Sequence, residues 1–174
     1  KAGSPPPICT DAKGKFAGRF ISLTVKFQSY DNNGKVIRGK HLKLALTSVY
    51  HPCHDPDHKH FTEHLHNLLS SIPSSTEIVM GADINVQIGT RDREEYASVL
   101  GPFGISGQNK HGANLMRLYS SLALRVQNTF YSHRDYTTYV SKGEDKTPII
   151  HDVFVCQKTL HKRIRDCRVT ETGV

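Results

Sequence analysis

The sequence predicts an α+β fold, a sandwich of sheets flanked by helices, and three observations carry that expectation. Segments alternating apolar and polar residues with the period of a strand outnumber those with helical spacing. The first two of them follow one another across a turn signal, so their pairing is local and antiparallel. Only two stretches show the spacing of an amphipathic helix. An excess of strands with local hairpins fits packed sheets better than a doubly wound parallel fold.

In chain order, "RFISLTVKF" alternates Ile21, Leu23, Val25 and Phe27 with Ser22, Thr24 and Lys26, the pattern of a half-buried strand. "KHLKLALTSVY" does the same through Leu42, Leu44 and Leu46, and Asn33-Gly34 in "DNNGK" supplies the turn between them. A helix is predicted in "HPCHDPDHKHFTEHLHNLLSSIP", where Phe61, Leu65, Leu68 and Leu69 share one face and Pro73 ends the run. Ile78 to Met80 is a short continuous apolar run, expected of a strand covered on both faces. A second helix in "NKHGANLMRLYSSLAL" places Leu115, Leu118, Tyr119 and Leu122 on one stripe. "LRVQNTFY", "YTTYVS", "IIHDVFVC" and "RIRDCRV" read as four further strands.

Composition limits the function. A chain of 174 residues with 37% hydrophobic residues suits one globular domain and holds no apolar run long enough for a membrane span. The opening "KAGSPPPICT" reads as a linker or loop, and its lack of an initiating methionine suggests a start inside a longer chain. Four cysteines without a CxxC pair support neither a zinc ribbon nor a disulfide framework, which makes a reducing, intracellular compartment the default. The net charge of +7, with basic residues crowded in "KTLHKRIRDCR", suits a polyanionic partner and equally a merely solvated basic surface. The histidine-rich run from Cys53 to His66 pairs His60 with His64 at helical spacing, but the apolar face leaves both to the solvated side and no HExxH pattern is present. A functional zinc site is not expected there.

The chemistry turns on "EIVMGADINVQIG". Asp83 stands where an apolar strand runs out, and an unpaired buried carboxylate costs on the order of several kcal/mol, so something must compensate it. Asp83 and Asn85 would by themselves shape a turn by bonding their own backbone. They have company, however: Tyr50-His51-Pro52 upstream, then Asn109 to Gly112, Asn128-Thr129-Phe130, Thr138-Tyr139 and "IIHDVFV" in order downstream.

That ordered set resembles the endonuclease/exonuclease/phosphatase superfamily, most closely the apurinic-endonuclease-like domains of non-LTR retrotransposons and their domesticated, craniofacial-development-protein-like relatives. The resemblance implies a four-layer α/β/β/α sandwich, with residues 1–174 forming a single partial domain that is incomplete at both ends. It implies a divalent-metal-dependent phosphodiesterase, a DNA endonuclease of retrotransposon type, using Mg2+ or Mn2+ in a nuclear setting beside a reverse transcriptase. A catalytically inactive nucleic-acid-binding or assembly module of the same fold is the alternative. The oligomeric state stays open.

By the same resemblance Tyr50 matches the tyrosine that contacts the scissile phosphate, and Asp83 the aspartate that polarises the attacking water. Asn85 matches the asparagine orienting that aspartate and the phosphate. Asp152 matches the strand aspartate that holds a catalytic histidine. Asn109 and Gly112 match a loop before the second helix, read here as a cap, and Asn128 and Thr138 match positions holding the loops beside the site. The principal metal-binding glutamate is expected upstream of this chain and the Ser-Asp-His motif just past Val174. Departures from the pattern are the inserted Ala82, Tyr139 in place of tryptophan, and Ile150 where glutamine often stands.

Overall fold

The computed structural model describes residues 16–91, 94–141 and 146–170. The linker-like opening segment and Cys9 lie outside them. Five strands form one mixed sheet in the order β1-β2-β3-β7-β4, and β5 pairs with β6 in a separate two-stranded sheet. The strands are β1 (Phe20–Tyr30), β2 (Val36–Tyr50), β3 (Glu77–Asp83), β4 (Leu124–Val126), β5 (Tyr139–Val140), β6 (Pro148–Ile149) and β7 (Asp152–Gln157). Helices α1 (Asp55–Ser70), α2 (Lys110–Ser121) and the single-turn α3 (Lys158–His161) complete the architecture. The mixed α+β fold matches the expectation at that level.

The hairpin closes where Asn33-Gly34 predicts. Asp31 Oδ1 accepts the backbone N–H groups of Asn33 and Lys35 at 2.9 and 2.8 Å, and Gly34 takes the positive φ of 76° that its missing Cβ permits. The two strands then pair antiparallel from Phe20 opposite Val49 to Gln28 opposite His41, and β2 runs parallel to β3.

One face of the sheet carries both long helices. Phe20, Ala45, Val49, Ile78, Met80, Ala82, Val153 and Val155 are buried there together with Phe61, Leu65 and Leu69 of α1 and Leu115, Met116, Leu118 and Tyr119 of α2. Leu68 and Leu122 pack against this core only partly. The cap of α2 is the one expected: Asn109 Oδ1 accepts the Gly112 N–H at 2.8 Å. The cap needs only the backbone N–H of residue 112; glycine is favoured there because a Cβ would lie 1.8 Å from the Gln87 carbonyl oxygen.

Three expectations are corrected. The alternating residues of the hairpin do not face the helices: Ile21, Leu23, Phe27 and Leu46 remain exposed on the opposite face, while Phe20, Ala45 and Val49 supply the core. The sheet is thus apolar on both sides and covered by helices on one. For the same reason β3 is not covered on both faces, since Val79 is half-buried between fully buried Ile78 and Met80. Finally, "IIHDVFVC" is split between β6 and β7 of different sheets, and "RIRDCRV" forms no strand. The latter segment is held by side chains and not by a ladder: Tyr131 donates its hydroxyl to the Ile164 carbonyl at 2.8 Å, and His133 Nε2 meets Asp166 Oδ1 at 2.8 Å.

Candidate active site

Sheet register assembles the site. Tyr50 ends β2 directly opposite Asp83, which ends β3, and Asp83 lies opposite Asp152, which begins β7. Since successive residues of a strand point to opposite faces, the three share the face away from the helices. They line one open hollow of about 850 Å³ together with Asn128, Thr138, Phe154 and, from the C-terminal segment, Cys167 and Arg168.

Asp83 combines exposure with an unsatisfied interior atom: the residue is half-buried, yet its Oδ1 is shielded from solvent with no hydrogen-bond partner among the described residues. Burial, and then the negative charge of Asp152, push its pKa above the usual carboxylate value; the charge of His151 and an N–H from the Asn85 backbone oppose the shift. A carboxylate held uncomfortably in its charged form is a ready acceptor of a proton or a cation.

Tyr50 is exposed at the rim, with the Arg19 guanidinium 4.8 Å from its ring centroid and its hydroxyl 3.7 Å from Cys53 Sγ. The hydrogen bond and charge of Cys53, followed by burial and the charge of Asp83, raise its pKa, so the phenol keeps its proton at neutral pH. Asn85 takes a left-handed backbone conformation, φ 46°, which asparagine tolerates. Its side-chain amide donates to the His51 carbonyl at 2.9 Å and so ties the end of β3 to that of β2. The side chain of Asn85 braces the site from the strand ends and does not line the hollow.

The start of β7 is fixed from two sides. Thr138 Oγ1 accepts the backbone N–H groups of His151 and Asp152 at 2.8 and 2.9 Å, and Asn128 accepts the N–H of Phe154 at 2.7 Å while donating to the Asp152 carbonyl at 3.4 Å. The carboxylate of Asp152 is left exposed at the hollow.

Two neighbours were not singled out by the sequence reading. His151 interacts electrostatically with both Asp83 and Asp152, which favour its charged form, but burial outweighs them and lowers its pKa. The Tyr139 ring stacks on it with centroids 4.8 Å apart and planes 8° from parallel. Its place immediately before Asp152 was the only available signal. Arg168 arrives from the segment expected to be a strand, and its basic composition was the signal there.

The histidine-rich run behaves as surface and packing. His60 is exposed, His58 is buried and stacks on His111 at 4.5 Å, and His51 packs edge-on against Phe61 at 4.7 Å. Among the described residues no three His, Cys, Asp or Glu side chains come together as a metal centre. The described cysteines, Cys53, Cys156 and Cys167, are all free thiols, and burial pushes Cys156 and Cys167 up to about 11.

Three adjacent strands thus bring acidic and phenolic groups together on one face of a mixed sheet, and two solved structures share the fold. The endonuclease domain of TRAS1, a telomere-specific non-LTR retrotransposon, superposes with a TM-score of 0.52 at 15% identity, over 86% of this chain and 74% of that one. An AP endonuclease from Archaeoglobus fulgidus gives 0.51 at 13% identity, over 87% and 72%. The sequence itself matches no family model and no curated protein. The chain is thus similar in fold to both of these structures.

Proposed function

We propose that residues 1–174 are one part of a divalent-metal-dependent phosphodiesterase domain that cleaves DNA, of the retrotransposon endonuclease type. The observation that supports this most is the juxtaposition of Tyr50, Asp83 and Asp152 at the ends of three adjacent strands, around one open hollow. On this reading the exposed face bearing Ile21, Leu23, Phe27 and Leu46 is the one that the second sheet of a four-layer sandwich would cover. A nuclear, intracellular location belongs to the same proposal. Among the described residues no helix is long and apolar enough to cross a membrane.

Asp83 is the group that takes the proton of the attacking water. Its raised pKa brings it closer to the range in which a general base works at neutral pH. Tyr50, protonated and exposed, donates its hydroxyl to a non-bridging oxygen of the phosphate. Asp152, held by Thr138 and Asn128, orients the histidine expected beyond Val174, as an aspartate orients imidazole in a hydrolase triad. Asn85 and Thr138 are positioning residues that fix strand ends.

The donors present fit a hard divalent cation. The partnerless Oδ1 of Asp83 is an anionic oxygen of the kind Mg2+ or Mn2+ prefers and would assist the glutamate expected upstream; a bound cation would lower the Asp83 pKa, so the raised value describes the site without one. When bound, the ion supplies neutralisation of the charge that builds on the phosphate and leaving oxygen.

The test is nicking of supercoiled plasmid by a chain extended on both sides in its own reading frame to include the expected glutamate and Ser-Asp-His. Magnesium-dependent nicking that EDTA abolishes supports the reading, with residues 1–174 alone inactive. DNA binding without nicking by the extended chain would favour the inactive binding module instead.

A further inference from the structure

The basic stretch that ends the sequence has no place in the mechanism above, yet the fold brings it to the site. From Lys158 to Thr170 the chain carries Lys158, Lys162, Arg163, Arg165 and Arg168 against Asp166 alone. Although no ladder holds its last part, the segment is pinned to the loop at 131–136. Tyr131 donates to the Ile164 carbonyl at 2.8 Å, and the Tyr136 hydroxyl, which donates to the Tyr131 carbonyl at 2.9 Å, accepts the His133 N–H at 2.7 Å. His133 Nε2 lies 2.8 Å from Asp166 Oδ1, a close charge contact without the alignment of a hydrogen bond, and the other oxygen of Asp166 lies 3.2 Å from Arg168 Nε.

The result is a guanidinium at a junction. Arg168 lines the hollow that contains Tyr50, Asp83 and Asp152, and it also lines an adjoining open groove of about 750 Å³ formed with His133, Arg134 and Asp135. Asp135, which lines the groove, accepts the Thr137 backbone N–H at 2.8 Å, and Asp166, behind it, pairs with Arg168. The contact with Asp166 is through Nε and the side chain is 63% exposed, so the guanidinium faces solvent, where a planar fork of that kind matches a phosphate oxygen pair.

We propose that the groove beside the hollow is a backbone-phosphate site for nucleic acid, with Arg168 as its central cation, Arg134 as its second, and Asp166 as the residue that positions Arg168. A phosphodiester held in this groove would set its scissile neighbour beside Asp83 in the adjoining hollow, and the proposal rests on the reading of that hollow as a phosphodiester-cleaving centre.

The experiment measures binding of a fluorescein-labelled DNA duplex by the 174-residue chain across a salt series. Each neutralised phosphate contributes about one unit to the slope of log affinity against log salt. Arg168→Gln should reduce the slope by about one unit, and Arg168→Lys, which retains the charge, should restore it. Asp166→Asn should weaken binding severalfold even though it removes a negative charge, since it frees Arg168 from its orientation. The Arg168 side chain is 63% exposed, so matched thermal melts are expected to show these variants folded. An unchanged slope in Arg168→Gln, or tighter binding by Asp166→Asn, would overturn the proposal. Those outcomes are separable from the catalytic reading: a slope change at Arg168 with an extended chain that never nicks would leave the phosphate site standing and remove the nuclease.

Discussion

Asp83 and Asp152 stand directly opposite each other in the antiparallel ladder of β3 and β7. Like charges facing each other on one side of a sheet are destabilising. The pair concentrates negative charge at one end of a hollow, beside a phenol and within reach of an arginine.

Replacing Asp83 with asparagine is therefore expected to stabilise the chain at neutral pH. The native pKa of Asp83 lies above its unfolded value, so its charged form is disfavoured by folding. Its contribution to stability is present below the ordinary carboxylate range and lost as pH rises through the raised native value. Urea melts of Asp83→Asn and parent should show the variant ahead at pH 7, with the difference shrinking as the pH falls through the carboxylate range. A variant less stable at pH 7 would show that Asp83 is a structural turn residue.

His51 predicts the opposite pH dependence. Burial, followed by the charges of His58 and Arg19, lowers its pKa from 6.5 to about 3, so the folded chain keeps it neutral. The stabilising contribution is whole above the unfolded value of 6.5 and is lost as pH falls toward about 3. One such proton changes stability by about 1.4 kcal/mol per pH unit within that window. His51→Leu should flatten the acid limb of a stability–pH curve by about one proton, and an identical limb in the variant would contradict the account.

At the head of α2, Asn109→Ala should cost about 1 kcal/mol through loss of the cap. Gly112→Ala should cost more, about 1–3 kcal/mol for overpacking, because the added methyl group meets the Gln87 carbonyl. Chemical denaturation of the two variants gives the order directly. Equal stability of Gly112→Ala and parent would mean that the Gln87 loop yields without cost.

The apolar face of the hairpin predicts association. Ile21, Leu23, Phe27 and Leu46 form exposed apolar surface on neighbouring strands, with Leu23 opposite Leu46. Sedimentation of the chain at rising concentration should reveal self-association that Leu23→Lys with Leu46→Glu suppresses. A parent chain that stays monomeric at all concentrations would contradict this.

Both helices and the strands of the hairpin were legible because period 3.6 and period 2 are written in apolar residues such as Phe61, Leu65 and Leu115, or Leu42 and Leu44. The direction in which the hairpin faces was not. Its larger apolar residues lie on the uncovered side, while the helix-facing set uses Phe20 and Val49 with the small or polar Ser22, Ala45 and Thr47. The polar row Ser22, Thr24 and Lys26 lies on the helix side of β1 with Phe20, so alternation alone points the hairpin the wrong way. Tyr50, Asp83 and Asp152 could be aligned with a known pattern in sequence, but only register puts them opposite one another. Arg168 was illegible as part of the site because period-2 spacing in "RIRDCRV" suggests a strand, whereas side-chain ties to Tyr131 and His133 decide its path.

The most direct measurement of the central claim compares Asp83→Asn with the parent in the extended chain, scoring magnesium-dependent plasmid nicking and duplex-DNA binding on the same preparations. The account predicts a loss of nicking of at least about a hundredfold, the scale of a lost general base, with binding nearly unchanged. Equal nicking by the two proteins would contradict it and leave Asp83 as the end of a strand.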